Sequence, residues 1–250
     1  MPRIFVGTLA SGEAELEACC EAVRMQSGVA VTHSVIENLP ELEAHNALWD
    51  AWDKARDQHD LFVKIDGDTI LGRPTALVEI AALFARNDVT GAQILLHDYF
   101  TDRLIAGLNS FSKQVIFRRG TDRLFTDRVD MNHRIVLKGV EVQHLAPIGW
   151  HCRYPHPRQS FHFGLHRALK KQRDVIARCA EVWSRERDAA RSWALTGAMA
   201  AGWKMRKEFD YSSRRFEVSF SDYEGSPDRL QKLEEFVRKL HSNREGRFGP

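Results

Sequence analysis

The order of apolar runs in this 250-residue sequence predicts an α/β fold: a mostly parallel sheet flanked by helices, with a helical C-terminal extension. Three observations carry that expectation. Strand-like and helix-like stretches alternate three times within about 90 residues, and a β-α-β-α-β-α order implies parallel strands joined by right-handed crossovers. The stretch from Phe161 to about Lys207 lacks proline and reads as helical. The composition, 43% hydrophobic and 28% charged, is that of a soluble globular protein. A chain this long buries a core without help from disulfides or structural metals.

Arg3 to Leu9 (RIFVGTL) is a short β-branched run expected to form a buried strand. Ser11 or Gly12 then caps a helix over Glu13 to Gln26, whose first turn is acidic, as a helix N-terminus favours. Gly28 ends it. Val29 to Ile36 is the second strand. Pro40 opens a helix from Glu41 to Arg56, with Leu42, Ala44, Leu48, Trp49 and Trp52 at helical spacing on one face. Leu61 to Leu71 (LFVKIDGDTIL) is a third strand running into Asp-Gly-Asp, and Pro74 starts a third helix. Beyond Gly91, AQILLHDYF and KQVIFRR read as strands joined by a segment containing Gly107. Leu124 to Val142 reads as a short helix followed by a strand. HLAPIGWHCRYPHPRQS is a loop. The helical tail breaks near Gly197 or Gly202, and Ser226-Pro227 begins a last helix. These elements divide the chain into residues 1–163, the α/β domain, and 164–250, the extension.

No apolar run reaches the roughly 18–20 residues of a membrane span. The first residues lack the basic and long apolar regions of a secretory signal. Cys19, Cys20, Cys152 and Cys179 form no CxxC, which argues against a disulfide framework or zinc finger and fits a reducing cytoplasm. A formal net charge of +2 does not announce a nucleic-acid binder.

Asp66 and Asp68 are the sharpest chemical signal. In an extended segment positions i and i+2 face the same side, and Gly67 between them leaves room for a ligand to approach. Two carboxylates facing one space repel, and a divalent cation relieves that repulsion; Mg2+ or Mn2+ commonly bridges such carboxylates to substrate phosphates. In open α/β sheets ligands bind beyond the carboxyl ends of the strands, where this pair lies. The competing interpretation is an Asp-Gly turn with no ligand.

With its flanking segments, LFVKIDGDTIL resembles the DxD strand of nucleotide-sugar glycosyltransferases of the GT-A fold, especially the large family 2. ACCEAVRMQSG resembles that family's first helix, LEAHNALWDAW its second, and LFTDRVDMNHRIVLKGVEV its acidic xED segment, with Thr126-Asp127 in place of Glu-Asp. The resemblance covers roughly Arg3 to Gly164. It implies that Asp68 is a direct metal ligand on the donor diphosphate, and that Asp66 contacts ribose or a metal-bound water. Asp127 would be the general base of an inverting reaction, with Asp130 and Asp98 as alternatives. A downstream histidine would complete the metal shell: His151, among the candidates His144, His151 and His156. Thr8 and Leu9 would lie against the nucleotide, and His45 would touch a phosphate or simply pack. At most one of Arg118 and Arg119 would face the cleft. The segment depart from the family where Glu37-Asn38 stand in place of an Asp-rich turn. His151-Cys152 alone suggests no zinc site, because no second pair with ligand spacing accompanies it.

The implied function is therefore metal-dependent transfer of a sugar, of hexosyltransferase type, from a nucleotide-sugar donor to a glycan or lipid-linked acceptor in polysaccharide biosynthesis. Two other classes stand beside it. A haloacid-dehalogenase-like phosphatase also uses a DxD at a strand end, but Ile70 misses its motif, and Asp98 and Asp102 follow too soon to be its acidic pair. A non-catalytic nucleotide-sugar-binding module is the third. Between Gly164 and Lys207, eleven Lys/Arg and four Asp/Glu give +7, so the rest sums to −5. That basic stretch either contacts an anionic membrane surface weakly or is a solvated helix face. Phe161 and Phe163 with Arg158, Gln159, His162, His166 and Arg167 either border an acceptor or dock a helix start. Trp183, Trp193 and Trp203 are read as core or interface contacts.

Overall fold

The computed structural model describes residues 1–201 and 214–245, apart from the side chains of 243–245. The chain divides into two compact units, Met1–Tyr99 with Arg103–Tyr154, and Phe100–Asp102 with Pro155–Pro250.

The first unit is α/β. Its strands are β1 (Arg3–Ala10), β2 (Ala30–Glu37), β3 (Leu61–Asp66), β4 (Thr69–Leu71), β5 (Val89–Asp98), β6 (Arg103–Ser112), β7 (Ile135–Leu137) and β8 (Gly149–His151). Its helices are α1 (Leu16–Arg24), α2 (Glu41–Ala55) and α3 (Ala76–Ala82). The strands form one mixed sheet in the order β2-β1-β3-β6-β5-β8-β4, with β7 on β5. The first three strands are parallel, as the βαβ order requires. β6 returns antiparallel between β3 and β5, and β4 runs antiparallel to β8.

The central strands β1 and β3 are buried on both faces. Ile4, Val6, Val63 and Ile65 join Cys19, Val23, Leu77 and Ile80 of α1 and α3 on one side. Phe5 and Phe62 join Leu48, Trp49 and Trp52 of α2 on the other. Successive strand residues thus enter opposite apolar layers.

Two expected elements differ. Lys113 to Arg119 is not a strand; it makes only an isolated bridge, Phe117 to Met131. Phe117 instead stacks on Trp49 at 4.4 Å, and Asn46 exchanges two hydrogen bonds with the Gly120 backbone. Aromatic burial and an amide clamp hold this segment against α2 without a ladder. Residues 124–134 form no helix. The Asp122 carboxylate accepts the Leu124 and Phe125 N–H groups, and the Thr126 hydroxyl donates to Glu41 Oε1 at 2.8 Å. Short polar side chains here offer the backbone a local alternative to a helix. Gly107, expected in a connection, lies inside β6.

The second unit is helical: α4 (Pro157–Leu169), α5 (Arg173–Glu186), α6 (Ala189–Ala201), α7 (Arg214–Glu224) and α8 (Arg229–Glu245). Gly164, the first residue of the expected extension, lies within α4, and EVSF within α7. The breaks fall at Lys170–Gln172 and at Arg187–Asp188, not at Gly197, which is inside α6; Gly202 and Trp203 lie outside the described residues. Arg187 closes α5 in the left-handed conformation. The glycines have another purpose. A Cβ on Gly164 would stand 1.6 Å from the Ala194 carbonyl oxygen, and one on Gly197 1.9 Å from that of Phe161. α4 and α6 therefore meet backbone to backbone.

Phe100, Thr101 and Asp102, the tip between β5 and β6, belong to this unit. Phe100 is fully buried and stacks on Phe163 at 4.0 Å. The tip's carbonyls accept from two arginines: Arg191 Nε on Phe100 at 3.1 Å and Arg178 Nε on Thr101 at 2.9 Å. Several of the basic residues noted in the sequence are thus paired internally. Arg178 meets Glu181, Arg187 meets Glu234, and buried Arg191 meets Glu186 and Asp188. Trp183 is buried, and Trp193 lies beneath the Arg229 guanidinium at 4.0 Å. No described helix is long and apolar enough to cross a membrane.

Candidate active site

Three strand ends converge in the first unit. β4 pairs with β8 so that Thr69 faces His151, and the Cys152 N–H donates to the Asp68 carbonyl at 2.8 Å. On its other side β8 runs parallel to β5, with Asp98 opposite His151. β8 can come this close to β4 because residue 149 is glycine: a Cβ there would lie 2.2 Å from the Ile70 carbonyl oxygen. The register thus brings Asp68, His151 and Asp98, distant in sequence, into one row.

His151 is held between the two aspartates. Its Nδ1 lies 2.7 Å from Asp98 Oδ1, and Asp98 is only 1% exposed. Its Nε2 points to Asp68 Oδ2 at 3.6 Å. With Asp98 accepting a hydrogen bond from Nδ1–H, Nε2 keeps its lone pair, the arrangement that orients a metal-binding imidazole and raises its basicity. The Cys152 Sγ donates to Asp68 Oδ2 at 3.0 Å and lies 3.6 Å from His151 Nε2. Burial and the Asp68 carboxylate push this thiol well above its ordinary value. Cys152 adopts a left-handed backbone, φ 53°, and the loop after it is tied down by the Tyr154 N–H on Glu15 Oε1 at 2.8 Å.

Asp66 sits on the other side of Gly67. The Lys64 ammonium, 8% exposed, donates to its Oδ1 at 2.5 Å. Desolvation works against the lysine's charge, but the Asp66 carboxylate overrides it and holds the ammonium above its ordinary value. Gly67 is pressed against the end of β1: its N–H donates to the Leu9 carbonyl at 2.8 Å, and a Cβ would lie 3.2 Å from Glu13 Oε2. Burial, with smaller contributions from Asp68 and Asp66, pushes the Glu13 carboxyl up to about 7, against the Ser11 N–H that bonds it.

The remaining predicted residues fall as follows. Thr8 is fully buried, with its hydroxyl 2.8 Å from His33 Nε2. Leu9 is half-buried, its carbonyl engaged by Gly67. His45 is buried on α2, and its Nδ1 donates to the Glu41 carbonyl at 2.8 Å. Burial, then Lys64, lower its pKa to about 4. A neutral imidazole whose proton is on Nδ1 presents an acceptor at Nε2. It therefore suits a hydroxyl and not a phosphate. Asp127 is exposed on the 120–134 loop, near enough to act electrostatically on Lys64 and His45. Asp130 pairs with Arg118 at 2.9 Å. Arg119 is exposed, 3.9 Å from Asp50. His144 is exposed in a short 3-10 turn. In the second unit, His156 caps α4 by accepting the Gln159 N–H.

Four residues acquire places that the sequence did not announce. Asp98 orients His151, whereas it stood only as an alternative base. Lys64 was legible as a lone cation in an apolar strand, two positions from Asp66. Glu13 and Cys152 needed the register of strands far apart in the chain.

The donor set suits a divalent ion. Asp68 supplies a carboxylate and His151 an imidazole already oriented by a buried carboxylate, a combination that Mn2+ accepts and that leaves positions for phosphate oxygens. No family model matches the sequence, and no curated protein is similar to it in sequence. Solved structures do show similarity. The mannosyltransferase PcManGT from Pyrobaculum calidifontis, in complex with GDP-Man and Mn2+, aligns over 96% of this chain and 86% of its own, at 11% identity and a TM-score of 0.41. S. aureus TarS 1-349 aligns over 96% of this chain and 87% of its own, at 10% identity and 0.39. A glycosyltransferase involved in glycosylation of the major capsid of PBCV-1 aligns over 43% of this chain and 60% of its own, at 12% and 0.30.

Proposed function

We propose that the protein is a glycosyltransferase of the GT-A type that moves a sugar from a nucleotide-sugar donor to a glycan or lipid-linked acceptor with the help of a divalent metal. The observation that carries this reading is the Asp98–His151–Asp68 row at the carboxyl ends of the strands, beside a second carboxylate on Asp66. Asp68 and His151 would hold the ion. Bound there, it would supply positive charge against which a nucleoside diphosphate can leave. Lys64 fixes one oxygen of Asp66, and the other would contact the ribose or a metal-bound water. The His45 acceptor suits a sugar or ribose hydroxyl. Asp127, exposed on its loop, would take the acceptor proton in an inverting reaction.

The phosphatase alternative loses its acidic pair: Asp98 is spent on His151, and Asp102 lies by Arg185 in the helical unit. The test is product analysis. Incubation with Mn2+ and a panel of nucleotide sugars, with acceptor glycans or lipid diphosphate sugars, should release nucleoside diphosphate. Release of inorganic phosphate from phosphomonoesters instead would move the protein to the other class.

A further inference from the structure

Asp68 Oδ2, His151 Nε2 and Cys152 Sγ form a triangle with sides of 3.0, 3.6 and 3.6 Å. These three atoms are one of the groups of possible ligand atoms among the described residues. An ion held at about 2.0–2.2 Å from oxygen and nitrogen and about 2.3 Å from sulfur separates such donors by about 3.0–3.6 Å at angles between 90° and tetrahedral. The triangle therefore has the dimensions of three ligands around one cation.

We infer that Cys152 is a third protein ligand, and that the site is a carboxylate–imidazole–thiolate centre selective for thiophilic divalent ions such as Zn2+ and Co2+ over Mg2+. The thiol is not placed by accident of a flexible loop. Its own N–H is bonded to the Asp68 carbonyl, and Glu15 anchors the residues that follow. Cys152 is 1% exposed, so its sulfur faces the two other donors and not solvent. On metal entry the S–H bond breaks, its proton leaves to solvent, and a metal–sulfur bond replaces the S–H···Oδ2 hydrogen bond; no electrons change hands. Soft thiolate ligands favour Zn2+ and its neighbours, whereas Mg2+ prefers oxygen alone.

The inference stands on the donor geometry and not on the reaction proposed above. It is tested by titrating the full chain with Co2+ in the absence of nucleotide and recording the thiolate-to-Co2+ charge-transfer band. One equivalent should produce the band. Cys152→Ser should abolish it and weaken Co2+ and Zn2+ binding roughly tenfold or more, while Mg2+ binding changes little. Zn-edge X-ray absorption on the unsubstituted protein gives a reading that does not depend on the variant folding: one sulfur at about 2.3 Å is expected. Co2+ bound without the band, a band that survives in Cys152→Ser, a zinc shell of nitrogen and oxygen only, or no stoichiometric binding would each overturn the inference. A thiolate-bound ion with no nucleoside diphosphate affinity would leave it standing and count against the transferase reading instead.

Discussion

Asp98 and His151 meet across 2.7 Å at adjacent positions of two parallel strands, so the imidazole's direction is set by the sheet and not by a loop. An orienting carboxylate of this kind contributes to metal affinity without touching the metal. Asp98→Asn should weaken divalent-ion binding by about 10–100-fold, and Asp68→Asn should remove most of it. Isothermal titration with Mn2+ and a nucleoside diphosphate, with and without EDTA, checks both. Nucleotide affinity indifferent to EDTA would detach these aspartates from any metal role.

Asp127 is expected to act on turnover and not on donor binding. Asp127→Asn should lower kcat by about 10²–10⁴ while the donor KM stays nearly constant. An unchanged kcat would send the search for the base elsewhere or indicate a retaining reaction.

His45 makes the α/β unit sensitive to acid. Its folded pKa, about 4, lies below the ordinary histidine value of about 6.5, so unfolding lets it take up a proton throughout that interval. The unfolded state then binds more protons, and stability falls as pH drops from about 6.5 through about 4. The full effect is on the order of 3 kcal/mol, with His33 and His133, also lowered by burial, acting in the same direction. Urea melts across this range should show the slope, and His45→Gln should flatten it.

Gly164→Ala and Gly197→Ala should each destabilise the helical unit. Alanine favours a helix by about 1 kcal/mol over glycine. Here, however, the new methyl would enter the opposing backbone, and forced separation of α4 and α6 costs about 1–3 kcal/mol or more. A raised thermal midpoint in either variant would contradict the close crossing.

What could be read beforehand followed local chemistry. The continuous apolar runs in RIFVGTL and LFVKID mark strands covered on both faces, and the Trp49–Trp52 face marks α2. The DxD carboxylates were visible because they are neighbours in sequence. Phe117 departs from the expected strand because an apolar run says nothing about whether its aromatic ring finds a ladder or a tryptophan. The 124–134 segment went wrong where Asp122 and Thr126 captured backbone and side-chain partners that periodicity does not register. Cys152 has no second pair at ligand spacing in the sequence; its companion Asp68 lies 84 residues away and arrives only through the β4–β8 register.

The tip of the β5–β6 hairpin limits where the chain can be cut and rejoined. Phe100, Thr101 and Asp102 are loaned by the sheet to the helices, where Phe163, Arg178 and Arg191 receive them. Replacing the helices after Tyr154 with another set would leave the Phe100 ring in water and the Phe100 and Thr101 carbonyls without their arginines, so an exchange at that boundary must also rewrite the three residues that begin two positions after Asp98.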